Sequence, residues 1–285
     1  MKRFRSYTAC LALTLLPAVA HAAGYKFTSF QYPLYTGSTY PTVFTGIDDA
    51  NRIAGYVNFP NNFQGFLITA AGSLATVNPP GYVYGIPTAI NRLGGIVGQA
   101  YDGSSYAMFE DNILGFGSLS GLLLDQNVTG INRSFDITGN YTNGSLQNEV
   151  YVRIKGVYHE LLPARCSYTH DPAINDDDVV VGNCVTSSNA SLGFIWKGKF
   201  AYFQPPAGAV YLQAAGINKA GVVAGWYTDA SGFDHGFVLD GGTMTTVDYP
   251  GASNTQIWGI NKAGKLVGEY FESAVDPSAF TATPQ

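Results

Sequence analysis

The side chains of this 285-residue chain best equipped for chemistry are its histidines and one run of three aspartates. His159-Glu160 and His170-Asp171 lie on either side of Cys166, and an imidazole beside a carboxylate can relay a proton or hold a transition metal. Their spacing fits no metal motif, however, and no Gly-x-Ser-x-Gly elbow, Walker loop or His-Glu-x-x-His pattern occurs in the chain. Asp176, Asp177 and Asp178 follow Asn175 and offer the hard oxygen ligands that Ca2+ takes, without the glycine and distal glutamate of a calcium loop. Asp48-Asp49 with Asn51 is a thinner version of the same turn. Solvated acidic turns account for both, so neither a metal nor another cofactor is expected, Ca2+ being the one ion these aspartates would suit. No catalytic residue can be assigned.

A better-ordered constellation comes from repetition. Gly-Ile-Asn or a near variant recurs six times, as Gly46-Ile47-Asp48, Ala89-Ile90-Asn91, Gly130-Ile131-Asn132, Ala173-Ile174-Asn175, Gly216-Ile217-Asn218 and Gly259-Ile260-Asn261. The isoleucines are 43, 41, 43, 43 and 43 residues apart. The Asn or Asp precedes a short turn that usually ends in Gly, where its side chain hydrogen-bonds the backbone two residues on, so the repeated residue builds a turn rather than a site. Shortly afterwards a strand glycine recurs, and the residue behind it changes from copy to copy: Tyr56, Gln99, Asn140, Asn183, Trp226 and Glu269. If the copies close into a ring, these six stand at one height, either reading a ligand or filling the space between units. The position after them, Val57, Ala100, Tyr141, Cys184, Tyr227 and Tyr270, is mostly apolar or aromatic and reads as packing.

The elements that must position such a ring are clearest in the fifth copy. Strand-like Val222–Tyr227 and His235–Leu239 are closed by Asp240-Gly241-Gly242, and a third run, Met244–Tyr249, leads through Pro250-Gly251 to Thr255–Gly259. Four short strands in a repeat of about 43 residues is the pattern of one β-propeller blade, and a single blade cannot bury both its faces. The expected fold is therefore all-β, a six-bladed β-propeller of four-stranded repeats starting near residues 46, 89, 130, 173, 216 and 259. The sixth copy stops at Gln285, while Phe27–Pro33 resembles Thr245–Pro250. The N-terminal segment 25–45 is thus expected to complete the last blade and remove exposed sheet edges.

Lys2, Arg3 and Arg5 precede an apolar run from Ala9 to Ala20 and the triplet Ala20-His21-Ala22, which reads as a signal peptide over 1–22 followed by one domain, 23–285. Without that leader 12 Lys and Arg face 20 Asp and Glu, a formal charge of −8, which disfavours nucleic acid as a partner. No later stretch approaches the ~20 apolar residues of a membrane-spanning helix. Cys166 and Cys184 remain as a pair in an oxidising compartment and are expected to be bonded, closing a loop worth roughly 3 kcal/mol.

The Gly-Ile-Asn-x-x-Gly-x-x-x-Gly pattern is followed by Gln64-Gly65-Phe66, Ala107-Met108-Phe109, Glu149-Val150-Tyr151, Leu192-Gly193-Phe194, His235-Gly236-Phe237 and Ser278-Ala279-Phe280. This pairing resembles the extracellular HAF-repeat proteins of bacteria over nearly the whole chain after the leader, with the histidine kept in the fifth copy alone. The resemblance implies an exported location and brings no reaction. Together these features point to a secreted or periplasmic, monomeric binding module for a glycan or a surface protein. The alternatives are a hydrolase or lyase acting on a polymer at one propeller face and a structural envelope or matrix component.

Overall fold

The expected strands form, and they form in fours. A computed structural model describes residues 21–22, 24–33, 40–112, 115–118, 127–145, 147–272 and 277–285, and among these there is no helix. Five of the blades are four-stranded antiparallel sheets whose strands follow one another in chain order, as in Tyr211–Ile217, Val223–Thr228, Asp234–Asp240 and Thr243–Thr246, and the sixth is an antiparallel sheet with strands from both ends of the chain. The innermost strands are Thr42–Ile47, Tyr84–Ile90, Asn127–Ile131, Tyr168–Ile174, Tyr211–Ile217 and Asn254–Ile260. They ring a central channel, and the fold is a six-bladed β-propeller.

The repeated residues explain themselves once the blades are in place. The tripeptide's first residue is Gly or Ala because the same position of the next blade lies against it. A Cβ on Gly216 would sit 3.2 Å from the Cα of Gly259, and one on Gly259 would sit 3.2 Å from the Cα of Gly46. The second-strand glycine is needed because the triplet's aromatic ring lies over it. A Cβ on Gly182 would be 2.6 Å from the Phe194 ring, and one on Gly268 2.9 Å from that of Phe280. Those aromatic residues, Phe66, Phe109, Tyr151, Phe194, Phe237 and Phe280, are all buried. Hydrophobic clusters fill the six blade interfaces, joining for example Val150 and Leu161 of the third blade to Ile174 and Phe194 of the fourth.

The repeated Asn performs the expected turn and a second task. Each side-chain oxygen accepts backbone N–H groups two and four residues on, as Asn218 does from Ala220 at 3.0 Å and Val222 at 3.1 Å. Its amide then donates to the following blade: Asn91 to the Asn132 carbonyl at 2.9 Å, Asn175 to Asn218 at 3.0 Å, Asn218 to Asn261 at 3.2 Å, and Asn261 to Asp48 at 3.2 Å. Asn132 donates instead to Asp178 Oδ1 at 2.8 Å. Asp48 lacks the side-chain amide that donates in the other copies. Arg52 pairs with its buried carboxylate and reaches the Arg92 carbonyl at 2.9 Å, which completes the belt.

Closure follows the expected plan. Tyr25–Phe30 adds to Ser278–Pro284 as an outer strand of the last blade, with Tyr25 opposite Pro284 and Phe30 opposite Ala279. Thr42–Ile47, which begins within 25–45, forms the innermost strand of the first blade instead. Phe27 is inserted between the fifth and sixth blades, and Phe30 between the sixth and first. Cys166 and Cys184 are bonded with 5.4 Å between Cα atoms, fastening the crossover from the third blade to the second strand of the fourth. Of the leader expected over 1–22, His21–Ala22 pair with Lys26 and Tyr25, and the remainder lies outside the described residues.

Candidate functional site

In every innermost strand the pairing with the second strand slips just before the tripeptide. Such a bulge leaves a residue out of the ladder and re-aims its side chain. The residues left out are Thr45, Thr88, Thr129, Asp171 with Pro172, Ala215 and Trp258, and all of them line one cavity of about 350 Å3 at the mouth of the channel. Proline is tolerated there because a bulged residue owes no N–H to the ladder. The isoleucines of the six tripeptides form the cavity floor and partition it from a smaller space of about 70 Å3 at the opposite end. Tyr56, Asn127 and Gln213 complete the polar part of the wall.

The wall is chemically lopsided. Thr88 and Thr129 donate their hydroxyls to the next blade's backbone, at 2.7 Å to Val128 O and 2.6 Å to Pro172 O. The Thr45 hydroxyl and the Gln213 side-chain nitrogen are buried without a hydrogen-bond partner. Trp258 stands between them on the sixth blade, its indole N–H donating to Glu269 Oε1 at 3.0 Å and its ring 4.4 Å from that of Trp226.

Asp171 is the single carboxylate on the described wall. It holds φ of 45°, a left-handed conformation uncommon for a residue with a Cβ and more so in front of a proline. Three side chains keep it there. Asn140 accepts the Asp171 N–H at 2.9 Å and donates to Oδ1 at 3.2 Å, His170 Nδ1 lies 3.2 Å from Oδ2, and Asn183 donates to the Asp171 carbonyl at 3.4 Å. Burial works against the carboxylate charge, but the His170 and Asn140 contacts outweigh it and hold the pKa below the ordinary value. Asp171 is therefore an anion at neutral pH.

The six residues singled out by their variability do stand at one height, opposite Val43, Ile86, Asn127, His170, Gln213 and Gln256 of the innermost strands. Tyr56 lines the cavity, its hydroxyl pKa pushed up to about 12 by burial and by the nearby Glu269 carboxyl. Gln99 donates to Asn127 Oδ1 at 2.7 Å, Asn140 and Asn183 hold Asp171, and Trp226 and Glu269 stand behind Trp258. Five of the six thus support the wall, and one forms part of it. Of the bulged residues that do line it, the sequence singled out Asp171 alone, as the partner of His170; the others escaped notice, although they too vary from copy to copy immediately before Gly-Ile-Asn.

The remaining candidates are dispersed. His159 is exposed on the outermost strand of the third blade, whereas His170 is on the innermost strand of the fourth. Asp176 accepts from the Arg133 N–H at 2.8 Å, Asp177 lies 4.0 Å from the Lys219 ammonium, and Asp178 accepts from Asn132. The three carboxylates diverge to different partners, and no group of three His, Cys, Asp or Glu able to share a metal occurs among the described residues. His235 lies between Asp248 at 2.8 Å and Asp229 at 3.5 Å, which outweigh its burial and raise its pKa.

Fold and site define a β-propeller with a floored cavity at the mouth of its channel. No family model matches the chain, and no curated protein matches it. Solved structures do. TolB from Acinetobacter baumannii superposes with a TM-score of 0.58 at 12% identity, over 73% of this chain and 54% of that one, so this chain spans about half its length. A putative TolB from Agrobacterium tumefaciens gives 0.57 at 13% identity, over 87% and 93% of the two chains. The SapL1 lectin in complex with alpha methyl fucoside gives 0.55 at 8% identity, over 85% and 92%. At these identities the likeness is one of fold.

Proposed function

We propose that this chain is an exported, monomeric binding propeller of the HAF-repeat type that takes a neutral carbohydrate into the cavity at the mouth of its channel. The observation that carries this reading is the anchored Asp171 anion of the fourth blade sharing one cavity with Trp258 of the sixth and Tyr56 of the first, the rest of it being lined by threonines, amides and apolar side chains. Sugar rings present an apolar face and a rim of hydroxyls. A carboxylate fixed in place accepts those hydroxyls, and an indole covers the face. The cavity volume of about 350 Å3 lies within the range of small-molecule sites. An acidic protein with an anionic wall disfavours acidic sugars.

A hydrolytic role needs two carboxyl groups flanking one bond. Glu269 has a perturbed pKa, but it stands behind Trp258 and does not line the cavity, which favours binding over cleavage. The test is titration calorimetry against an array of neutral mono- and oligosaccharides, repeated with Trp258→Ala and Asp171→Asn. Both variants are expected to bind at least tenfold more weakly. Wild-type binding that survives both substitutions unchanged removes the cavity from consideration.

A further inference from the structure

Beyond the cavity rim, five aromatic rings continue from its wall across the mouth face. Tyr56 meets Phe63 at 5.8 Å, Phe63 meets Tyr84 at 5.5 Å, Tyr84 stacks on Tyr101 at 5.2 Å, and Tyr101 meets Tyr106 at 4.9 Å. Strand register explains the row. Tyr84, Tyr101 and Tyr106 stand opposite one another on the innermost, second and third strands of the second blade, at the end away from the isoleucine floor. Phe63 and Tyr56 extend it inward on the first blade. Tyr84 is buried beneath the row, Tyr56, Phe63 and Tyr101 are half-buried, and Tyr106 is 58% exposed at the outer end.

The outer end is also rigid. Asp102 accepts the N–H and hydroxyl of both Ser104 and Ser105, which locks the turn that presents Tyr106, and the Tyr84 and Tyr106 hydroxyls lie 3.0 Å apart. Those same contacts keep Asp102 ionised by lowering its pKa. A carboxylate anion thus stands at each end of the route from Tyr106 to Asp171, which is suited to an uncharged ligand and opposes a polyanion.

We infer that this row is a series of subsites for a linear, neutral polysaccharide, one end of which occupies the cavity while the following sugars lie along Tyr56, Phe63, Tyr101 and Tyr106. The inference rests on the carbohydrate reading above and adds to it the ligand's length and direction. Preordered aromatic rings provide contact area with little ordering cost on binding, and the row is continuous with the cavity wall.

The experiment is a binding series against linear oligosaccharides of one to six units built from glucose, galactose, mannose or N-acetylglucosamine, using wild type, Tyr106→Ala and Trp258→Ala. Affinity in the bound series is expected to rise with length, and Tyr106→Ala, at an exposed position that leaves folding alone, lowers the ratio of hexamer to monomer affinity by roughly three- to tenfold. Trp258→Ala weakens every length. Wild-type affinity independent of length, or an unaltered ratio in Tyr106→Ala, overturns the row and leaves the cavity reading standing. Failure to bind any series overturns both.

Discussion

At the scale of single residues, the most consequential side chains carry charge in poorly solvated places. Glu269 is 7% exposed, and burial raises its pKa from 4.5 to about 7, with the Trp258 indole N–H pulling the other way and Asp234 adding to the rise. The folded chain holds this proton more tightly than the unfolded chain does. The contribution of this carboxyl to folding stability is therefore complete below about pH 4.5, lost as pH rises through about 7, and level above that. Urea unfolding at pH 5 and pH 8 is expected to show a fall in wild type that Glu269→Gln reduces, by on the order of 3 kcal/mol. Equal falls in the two proteins would show that the carboxyl is not held neutral by the fold. His235 acts in the same direction, since its raised pKa gives a contribution complete below its unfolded value and lost as pH passes its folded value, so part of the slope remains in Glu269→Gln. The variable second-strand ring was legible because it varies against a constant background. Its task was not legible. That Asn140 holds Asp171 depends on a contact between different blades, and that Asn183 does so depends on the slip between two strands of one blade; spacing along the chain carries no sign of either.

At the scale of elements, the closing strand matters more than its length suggests. Phe27 is 1% exposed against Tyr249 and Phe280 at 5.4 Å each, and Phe30 lies 5.0 Å from Phe44. The alternation of a strand sends the two rings to opposite faces, so one short element fastens the sixth blade to both neighbours. Phe27→Ala is expected to cost about 3–5 kcal/mol, read as a drop in the urea midpoint. Deleting 25–33 should unfold or oligomerise the protein, and a stable monomer after that deletion would contradict the shared blade. The strands and their number were readable from the period of the tripeptide and the turn glycines. The slip in each innermost strand was not, because a bulge is a relation between two strands and leaves one of them looking like any other extended run. The bulged residues consequently read as approach to Gly-Ile-Asn rather than as the cavity wall.

At the scale of the whole molecule, the hydrogen-bond belt runs in one rotational sense from each blade to the next, with irregular junctions at Asn132, which donates to a carboxylate, and at Asp48, where Arg52 takes over. Arg52 is the partly exposed counter-charge to a buried carboxylate that also keeps two backbone N–H donors, so Arg52→Ala is expected to cost about 1–3 kcal/mol. Asp48→Asn in the same chain restores both turn capping and a donor toward the second blade, and recovers most of that loss. A double variant no more stable than Arg52→Ala would show that the belt does not bear on stability. Reduction of Cys166–Cys184 is expected to cost roughly 3 kcal/mol, measured as a shift in the thermal midpoint with and without reductant.

The isoleucine floor bears on how the propeller would meet a long polymer. With Ile47, Ile90, Ile131, Ile174, Ile217 and Ile260 partitioning the channel, it is a cup and not a tunnel. Under the carbohydrate reading, a polymer would enter this cup by a chain end, and the number of such ends, rather than the mass of polymer present, would set how many propellers a surface retains.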